Sequence, residues 1–175
     1  MEALIRPAGA ADIPAIAAIY GHAVLHGTAT FELVPPDAAE MARRRAVLVE
    51  AGYPYLMAER AGAVLGYAYA SAFRTRPGYR HTVEDSLYIA PEAHRQGIGR
   101  ALLSALIAEC ERLDFRRMIA VIGDSAHAAS INLHAAEGFA IVGTYAGIGH
   151  KFGRWLDSIH MQRPLGAAGS SPPTR

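Results

Sequence analysis

A glycine-rich turn that leads directly into an apolar helix constrains this chain more than any other stretch. Residues 92–110 read EAHRQGIGRALLSALIAEC, in which two glycines (Gly97, Gly99) lie between two arginines (Arg95, Arg100). Glycine lets backbone N–H groups approach an anion closely, and the helix N-terminus adds partial positive charge. Two flanking arginines suit a pyrophosphate better than a single phosphate. The pattern therefore predicts a pyrophosphate-binding turn, with a glycine-tolerant turn before a core helix as the alternative.

Two familiar phosphate-binding motifs do not fit this turn. A P-loop requires GxxxxGK[ST], and the chain contains no Gly-Lys-Ser or Gly-Lys-Thr. A dinucleotide fingerprint requires GxGxxG, and Leu102 stands where its third glycine would be. What remains is a strand (EDSLYIA), a short turn (PEAH), the glycine turn and a helix with an apolar face.

Positive and negative side chains nearly balance in this chain, so any anion site must depend on a local cluster of positive charge. The 175 residues include 17 Lys and Arg against 16 Asp and Glu, so no nucleic-acid partner is expected. Cys110 is the only cysteine, which excludes an internal disulfide and a cysteine-rich zinc site, and we expect no metal. Neither a signal peptide nor an apolar stretch of about 18 residues is present. We therefore expect a cytoplasmic protein without a membrane partner.

Strand-like and helix-like segments alternate along the chain. Apolar runs predict strands at 3–6, 55–59, 64–73, 82–89, 118–122, 139–145 and 155–162. Helical spacing predicts helices after the N-cap candidates Asp12 and Asp37, at 97–113 and at 126–137. This order indicates an α+β fold with a mixed central sheet, in one domain over residues 1–165. The remaining residues, 166–175 (GAAGSSPPTR), are expected to form a disordered tail.

Two adjacent carboxylates interrupt the predicted strand at 82–89. Because neighbouring strand residues face opposite ways, either Glu84 or Asp85 must point inward or into a cleft. An edge-strand carboxylate is the alternative. The loop before this strand, FRTRPGYR at 73–80, is cationic and aromatic. An arginine fork there would suit a carboxylate or phosphinate, although a solvated basic loop has the same composition.

Several ordered blocks resemble the GNAT superfamily of N-acetyltransferases. HRQGIGRALL after SLYIAPEA is similar to the acetyl-CoA loop of that family, [QR]-x-x-G-x-[GA]. TATFE at 28–32, FRTRPGYRHTVEDSLYIAPEAHRQGIGRALL, VIGDSAHAASINLHAAEGF and GHKFGRWLDSIHMQ resemble the phosphinothricin and methionine sulfoximine or sulfone acetyltransferase branch. The resemblance covers nearly the whole chain up to about Leu165. It implies a three-layer GNAT fold, with a sheet of six to seven strands and helices on both faces.

The resemblance also implies an activity and its residues. The activity is acetyl transfer from acetyl-CoA to the amine of a small amino-acid analogue, by direct attack on the thioester. Glu84 would be the general base, and His134 would be the general acid where many relatives carry tyrosine. Cofactor contacts would come from Leu87, Tyr88, Ile89, Arg95, Gln96, Gly97, Ile98, Gly99, Arg100, His127 and Ser130. Substrate contacts would come, partly across a homodimer interface, from Phe31, Arg74, Thr75, Arg76, Arg80, Glu84, Asp85, Ser86 and Lys151.

Three positions depart from the family pattern. His94 stands where the loop motif has Gln or Arg, His127 where Asn is common, and Asp85 where close relatives often have His. These departures leave a non-catalytic acyl-CoA-binding sensor as an alternative function. A peptide or protein N-acetyltransferase is the nearer alternative. Such an acceptor requires an open groove, whereas a closed pocket would argue against it.

Overall fold

The computed structural model describes residues 3–172. Within that range the chain forms seven strands and four α-helices in the predicted order. The strands are β1 (Leu4–Pro7), β2 (Tyr55–Arg60), β3 (Ala63–Ala72), β4 (Thr82–Ile89), β5 (Arg117–Gly123), β6 (Ala140–Lys151) and β7 (Arg154–Pro164). The α-helices are α1 (Ile13–His26), α2 (Ala38–Glu50), α3 (Ile98–Arg112) and α4 (Ala128–Ala136). One-turn 3-10 helices lie at Ala10–Asp12, Pro77–Tyr79 and Pro91–Ala93.

The seven strands form one mixed sheet in the order β1-β2-β3-β4-β5-β7-β6. Only β4 and β5 are parallel among the described strands, and α3 lies in the connection between them. Helices cover both faces of the sheet, as two successive residues of β4 demonstrate. The ring of Tyr88 lies 4.9 Å from that of Tyr20 in α1, whereas Ile89 contacts the α3 side at Gly99. The expected three-layer α+β fold is therefore confirmed.

The apolar face of α3 packs against the sheet as its spacing predicts. Its buried residues are Ile98, Leu102, Leu103, Leu106, Ile107 and Cys110. They join Phe115 and Met118, which follow the helix and are also buried. Full burial of each leucine side chain stabilises the fold by roughly 1.5–3 kcal/mol. Because Cys110 is completely buried in this face, it is a core residue and not a nucleophile.

The two predicted helix caps behave differently. Asp37 caps α2 as expected, because its Oδ1 accepts a hydrogen bond from the Glu40 amide at 2.8 Å. Asp12 precedes α1, but its side chain makes no cap hydrogen bond to that helix. It accepts instead from the Gly9 amide at 2.7 Å and from the Arg6 guanidinium at 2.8 Å. Asp12 therefore occupies the predicted N-cap position, but its carboxylate closes the preceding 3-10 turn and pairs with Arg6 of β1 instead of capping α1.

The C-terminal elements differ from the prediction at their ends. β6 was predicted to stop at residue 145 but continues to Lys151, with register shifts that interrupt its pairing with β7. The glycines that hide this extension in the sequence, Gly147 and Gly149, are accommodated in the irregular stretch. α4 begins two residues late because Asp124, with φ of 73°, starts a turn. Residues 173–175 of the predicted tail lie outside the described residues, and the domain boundary stays a prediction.

Candidate active site

The parallel strands β4 and β5 diverge partway along their length. Their pairing runs from Thr82–Arg117 to Asp85–Ala120 and then stops. Beyond that point, residues 86–89 of β4 pair only with β3, and residues 121–123 of β5 pair only with β7. We call the gap between these two segments the wedge. Backbone groups of β4 that face the wedge are therefore available to a ligand.

Two cavities meet at the wedge. A larger cleft of about 780 Å³ lies on the side of the glycine turn, and a smaller cavity of about 230 Å³ lies on the side of Glu84. Their shared wall is formed by Ala29, Leu87, Tyr88, His127 and Ser130. A ligand that passes through the wedge can therefore contact both spaces, which suits a reaction between two substrates that enter from different sides.

Most of the predicted cofactor residues line the larger cleft. They are Leu87, Tyr88, Ile89, Arg95, Gly97, Ile98, Gly99, His127 and Ser130. Gln96 and Arg100 are absent from the wall that the described residues form around this cleft. The Gln96 amide group bonds to Arg60 and the Glu92 carbonyl, and Arg100 pairs with Glu137 at 2.8 Å. The cleft is also lined by residues that were not predicted as cofactor contacts, among them His22, His26, Phe152 and Arg154.

The two glycines of the turn serve different purposes. Gly97 precedes α3 with φ of 80°, in the left-handed region that disfavours side chains, and a Cβ there would meet nothing within 4 Å. Gly99 lies inside the helix, where a Cβ would come within 3.3 Å of Leu133. Gly97 therefore sets the backbone turn that exposes the helix N-terminus, whereas Gly99 permits close packing. His94, which departs from the family motif, turns its Nε2 towards the Ile89 carbonyl at 3.2 Å.

Glu84 is a half-buried carboxylate on the wall of the smaller cavity. Burial and the adjacent charge of Asp85 raise the pKa of Glu84 to about 7. A carboxylate with this pKa is a far stronger base than an ordinary glutamate and is still ionised in part near neutral pH. The structure therefore places a carboxylate with a raised pKa on the wall of the smaller cavity.

Asp85 points to the opposite side of the sheet and pairs with His134. Asp85 is buried, and its Oδ2 lies 3.0 Å from His134 Nε2. His134 Nδ1 lies 2.7 Å from the Ser130 carbonyl, which only accepts hydrogen bonds, so this nitrogen carries a proton. Burial alone would lower the pKa of His134, but the bond and charge of Asp85 and the Ser130 carbonyl outweigh it and raise that pKa.

His127 is the titratable residue on the wall between the two cavities. Its Nδ1 is buried and has no hydrogen-bond partner among residues 3–172. Burial lowers the pKa of His127, so the ring is neutral at physiological pH. Where relatives often carry an asparagine, this chain thus presents a neutral imidazole to both cavities.

The predicted substrate residues divide into two groups. Phe31, Glu84, Asp85 and Ser86 line the smaller cavity. Lys151 falls outside both groups, because it is buried without lining either cavity, and its Nζ donates to the Thr30 carbonyl at 2.8 Å. Arg74, Thr75, Arg76 and Arg80 are exposed and do not line either cavity within the described part of this chain. Arg74 lies over the ring of Phe73 at 5.1 Å.

Sequence reasoning missed several residues of the smaller cavity. They are Ala29, Thr30, Ala120, Val121, Ile122, Gly123 and Ser158. Val121 and its neighbours line the cavity only because β5 diverges from β4, and Ser158 joins them because it pairs with Gly123 across the sheet. The TATFE block pointed to the Thr30 region, but no local pattern identifies the others.

Two absences within residues 3–172 bear on the class of site. No group of three or more His, Cys, Asp or Glu side chains in that range is arranged to hold a metal ion. None of the described helices combines the length and the apolar character needed to cross a membrane.

Diverging parallel strands and a glycine turn at a helix N-terminus suit an acyl-CoA-dependent transferase, the class that the resemblance implies, and comparison with known proteins agrees. Residues 22–139 match the acetyltransferase (GNAT) family. The chain is 56% identical over 162 residues to phosphinothricin N-acetyltransferase of Alcaligenes faecalis, covering 93% of this chain and 82% of that protein. It is 43% identical over 173 residues to the L-methionine sulfoximine/L-methionine sulfone acetyltransferase of Pseudomonas paraeruginosa, covering 98% and 100%.

A solved structure gives the same result. The GNAT superfamily phosphinothricin acetyltransferase from Sinorhizobium meliloti, in complex with AcCoA, is 53% identical and has a TM-score of 0.96, with 100% of this chain and 95% of that chain covered. The chain therefore belongs to the GNAT family of acetyltransferases. The expected fold family and the expectation of acetyl-CoA as acetyl donor are thereby confirmed.

Proposed function

We propose that this enzyme acetylates the α-amine of a small amino-acid analogue of the phosphinothricin, methionine sulfoximine or methionine sulfone type. The observation that carries the proposal is Glu84, a half-buried carboxylate with a pKa of about 7 in a cavity of about 230 Å³. That volume suits a small molecule better than a peptide chain. The names of the relatives that are 56% and 43% identical support the same substrate class.

The residues around the larger cleft fit acetyl-CoA, which supplies the acetyl group as a thioester. Gly97 has the left-handed φ that leaves the N-terminal amides of α3 open, and the helix adds partial positive charge for the pyrophosphate. Arg95 lines the same cleft and adds a full charge. The unpaired edge of β4 at residues 86–89 is suited to hold the pantetheine arm by backbone hydrogen bonds.

Glu84 acts as the general base in this proposal. The incoming amine is protonated in water, and its lone pair becomes available when Glu84 accepts one of its protons, directly or through water. The amine nitrogen then bonds to the thioester carbon, the carbon–sulfur bond breaks, and the nitrogen gives its second proton to water to form the neutral amide. General bases of this kind contribute roughly 10²–10⁴-fold to a rate.

His134 and Asp85 supply the proton that the departing thiolate requires. The Nδ1 proton of His134 is committed to the Ser130 carbonyl, so the proton that can move is the one between Nε2 and Asp85. Both residues line the smaller cavity beside the shared wall. In this proposal the Asp85–His134 pair, rather than His134 alone, is the acid.

We infer that the enzyme works as a homodimer. No Lys or Arg among residues 3–172 lines the smaller cavity, although the proposed substrates carry an anionic or strongly polar group. The β6–β7 hairpin exposes large apolar side chains, namely Ile141, Val142, Tyr145, Ile148 and Trp155. In this proposal, a partner that covers this face supplies the missing positive charge from its own exposed loop at residues 74–80. The cytoplasmic location expected from the sequence stays a prediction.

Release of free CoA from acetyl-CoA tests the proposed function. The panel comprises phosphinothricin, methionine sulfoximine, methionine sulfone, ordinary amino acids and short peptides. Turnover concentrated on the phosphorus and sulfur analogues is the expected result. Turnover on peptides alone would replace the proposal by a peptide or protein acetyltransferase. Binding of acetyl-CoA without turnover on any amine would instead favour the non-catalytic sensor.

A further inference from the structure

An irregular segment, the strap (residues 28–32, TATFE), forms part of both cavity walls. Ala29, Thr30 and Phe31 line the smaller cavity, and Thr28 and Ala29 line the larger cleft. The strap belongs to neither a helix nor a strand, so the regular backbone hydrogen bonds of such elements do not fix its position. Contacts with other elements must therefore determine the shape of the wall that the strap provides.

The ring of Phe31 lies against two glycines from different strands, which we call the glycine socket. A Cβ on Gly149 of β6 would come within 2.7 Å of Phe31 Cδ2 and 2.8 Å of its Cζ. A Cβ on Gly123 of β5 would come within 2.9 Å of Phe31 Cε1 and would also overlap the Thr28 carbonyl. Neither glycine has a positive φ, so both are needed for space and not for conformation.

Polar contacts hold the strap beside the socket. Lys151, only 2% exposed, donates from Nζ to the Thr30 carbonyl at 2.8 Å. The Tyr20 hydroxyl lies 3.0 Å from Thr30 Oγ1 and donates to Glu32 at 2.8 Å. Arg44 binds the same Glu32 carboxylate at 2.6 Å. Because burying an unpaired ammonium is costly, the charge of Lys151 is already committed to the strap.

We propose that Gly123, Gly149 and Lys151 are positioning residues that fix the strap and thereby set which amine the enzyme accepts. This inference rests on the proposed function, because it assigns the smaller cavity to the amine. It also gives Lys151 a different role from the direct substrate contact that the resemblance implies. Lys151 acts through the Thr30 carbonyl, and Gly149 acts through the ring of Phe31.

Gly149→Ala is the primary test, with Gly143→Ala as its matched control. Both glycines lie on β6 without a positive φ, but a Cβ on Gly143 would meet nothing within 4 Å. We expect Gly149→Ala to raise KM for the preferred amine at least tenfold while Kd for acetyl-CoA changes less than twofold. Gly143→Ala, checked by sedimentation to keep the parent's oligomeric state, should match the parent in both constants. Equal kinetics for the two variants would overturn the socket.

A double substitution tests whether the effect passes through Phe31. In the Phe31→Ala background the ring is gone, so the added methyl of Gly149→Ala has nothing to displace. The further change in KM should then be less than twofold. A full tenfold additional loss would show that Gly149 acts elsewhere and would contradict the proposal.

Lys151→Met separates positioning from direct substrate contact and serves if Gly149→Ala fails to fold. An ammonium that touched the substrate carboxylate would favour the free acid over the amino acid's neutral amide. A positioning lysine affects both alike, so we expect kcat/KM to fall by the same factor for acid and amide. A loss at least tenfold greater for the acid would overturn the positioning role. Absence of turnover in the parent would refute the proposed function instead.

Discussion

The adjacent residues Glu84 and Asp85 lie in different environments because their side chains point to opposite faces of β4. Both line the smaller cavity, but Asp85 is buried against His134, whereas Glu84 has no ion-pair partner among the described residues. The alternation of a strand predicts this separation from the sequence. The sequence could not indicate which carboxylate would be paired, because the partner on α4 is 49 residues away.

Replacing Glu84 should change how stability depends on pH. The folded-state pKa of Glu84, about 7, lies above the ordinary value of 4.5. Between these values the folded chain binds the proton more tightly than the unfolded chain, so the contribution to stability falls as pH rises. Glu84→Gln removes the penalty and should be more stable than the parent at pH 8, on the order of 1–2 kcal/mol after screening. Urea unfolding of both proteins at pH 5 and pH 8 measures this difference. A parent that is more stable than Glu84→Gln at pH 8 would contradict the prediction.

The two histidines beside the wedge should titrate in opposite directions from the ordinary value of 6.5. The contacts of His134 with Asp85 and Ser130 raise its pKa despite burial, whereas burial lowers that of His127. The stabilisation from the protonated His134–Asp85 pair is therefore complete below pH 6.5 and is lost as pH rises through the raised pKa. Ring-nitrogen NMR, assigned with single His→Asn variants, checks the order. A His134 that titrates below His127 would contradict the structure.

At the scale of elements, the divergence of β4 from β5 and the start of α3 create the cofactor side of the site. The strand at 82–89 and the core face of α3 could be predicted because their apolar patterns are strong. The extension of β6 past residue 145 could not, because Gly147 and Gly149 break its strand pattern. The glycine socket is equally hidden, since Gly123 and Gly149 approach Phe31 only in the folded chain.

Gly97→Ala should weaken acetyl-CoA binding, and Gly62→Ala offers a matched control. Both glycines have φ near 80° and open space around a Cβ, but Gly62 lies in the β2–β3 turn, away from the larger cleft. Left-handed strain should cost each variant roughly 1–2 kcal/mol of folding stability. Only Gly97→Ala should also lose acetyl-CoA affinity, by about tenfold in isothermal titration. Equal acetyl-CoA affinities for the two variants would show that Gly97 is not part of the cofactor site.

At the scale of the whole molecule, the helices leave one edge of the sheet bare. The outward side chains of β6 and β7 include Ile141, Tyr145 and Trp155, which are all more than half exposed. Apolar patches of this kind commonly mark interfaces. The arginine loop was predicted as an anion site from its composition, but in a single chain it does not line the smaller cavity. The proposed homodimer would reconcile these two observations.

The proposed homodimer should dissociate when its apolar face is made charged. Trp155→Arg is expected to shift the protein from dimer to monomer in sedimentation, because a buried unpaired charge is costly. If the partner's arginine loop completes the cavity, kcat/KM should fall as the dimer dissociates, while acetyl-CoA still binds. A parent that sediments as a monomer at micromolar concentration would contradict the proposal.

The pH dependence of kcat/KM for the amine, measured on the parent and on Glu84→Gln, tests the central claim most directly. The parent should gain activity as pH rises, with an inflection near 7 where Glu84 loses its proton. Glu84→Gln should lose that inflection and fall about 10²-fold or more in kcat/KM, with Kd for acetyl-CoA unchanged. If Glu84→Gln keeps both the inflection and the parent's activity, Glu84 is not the base.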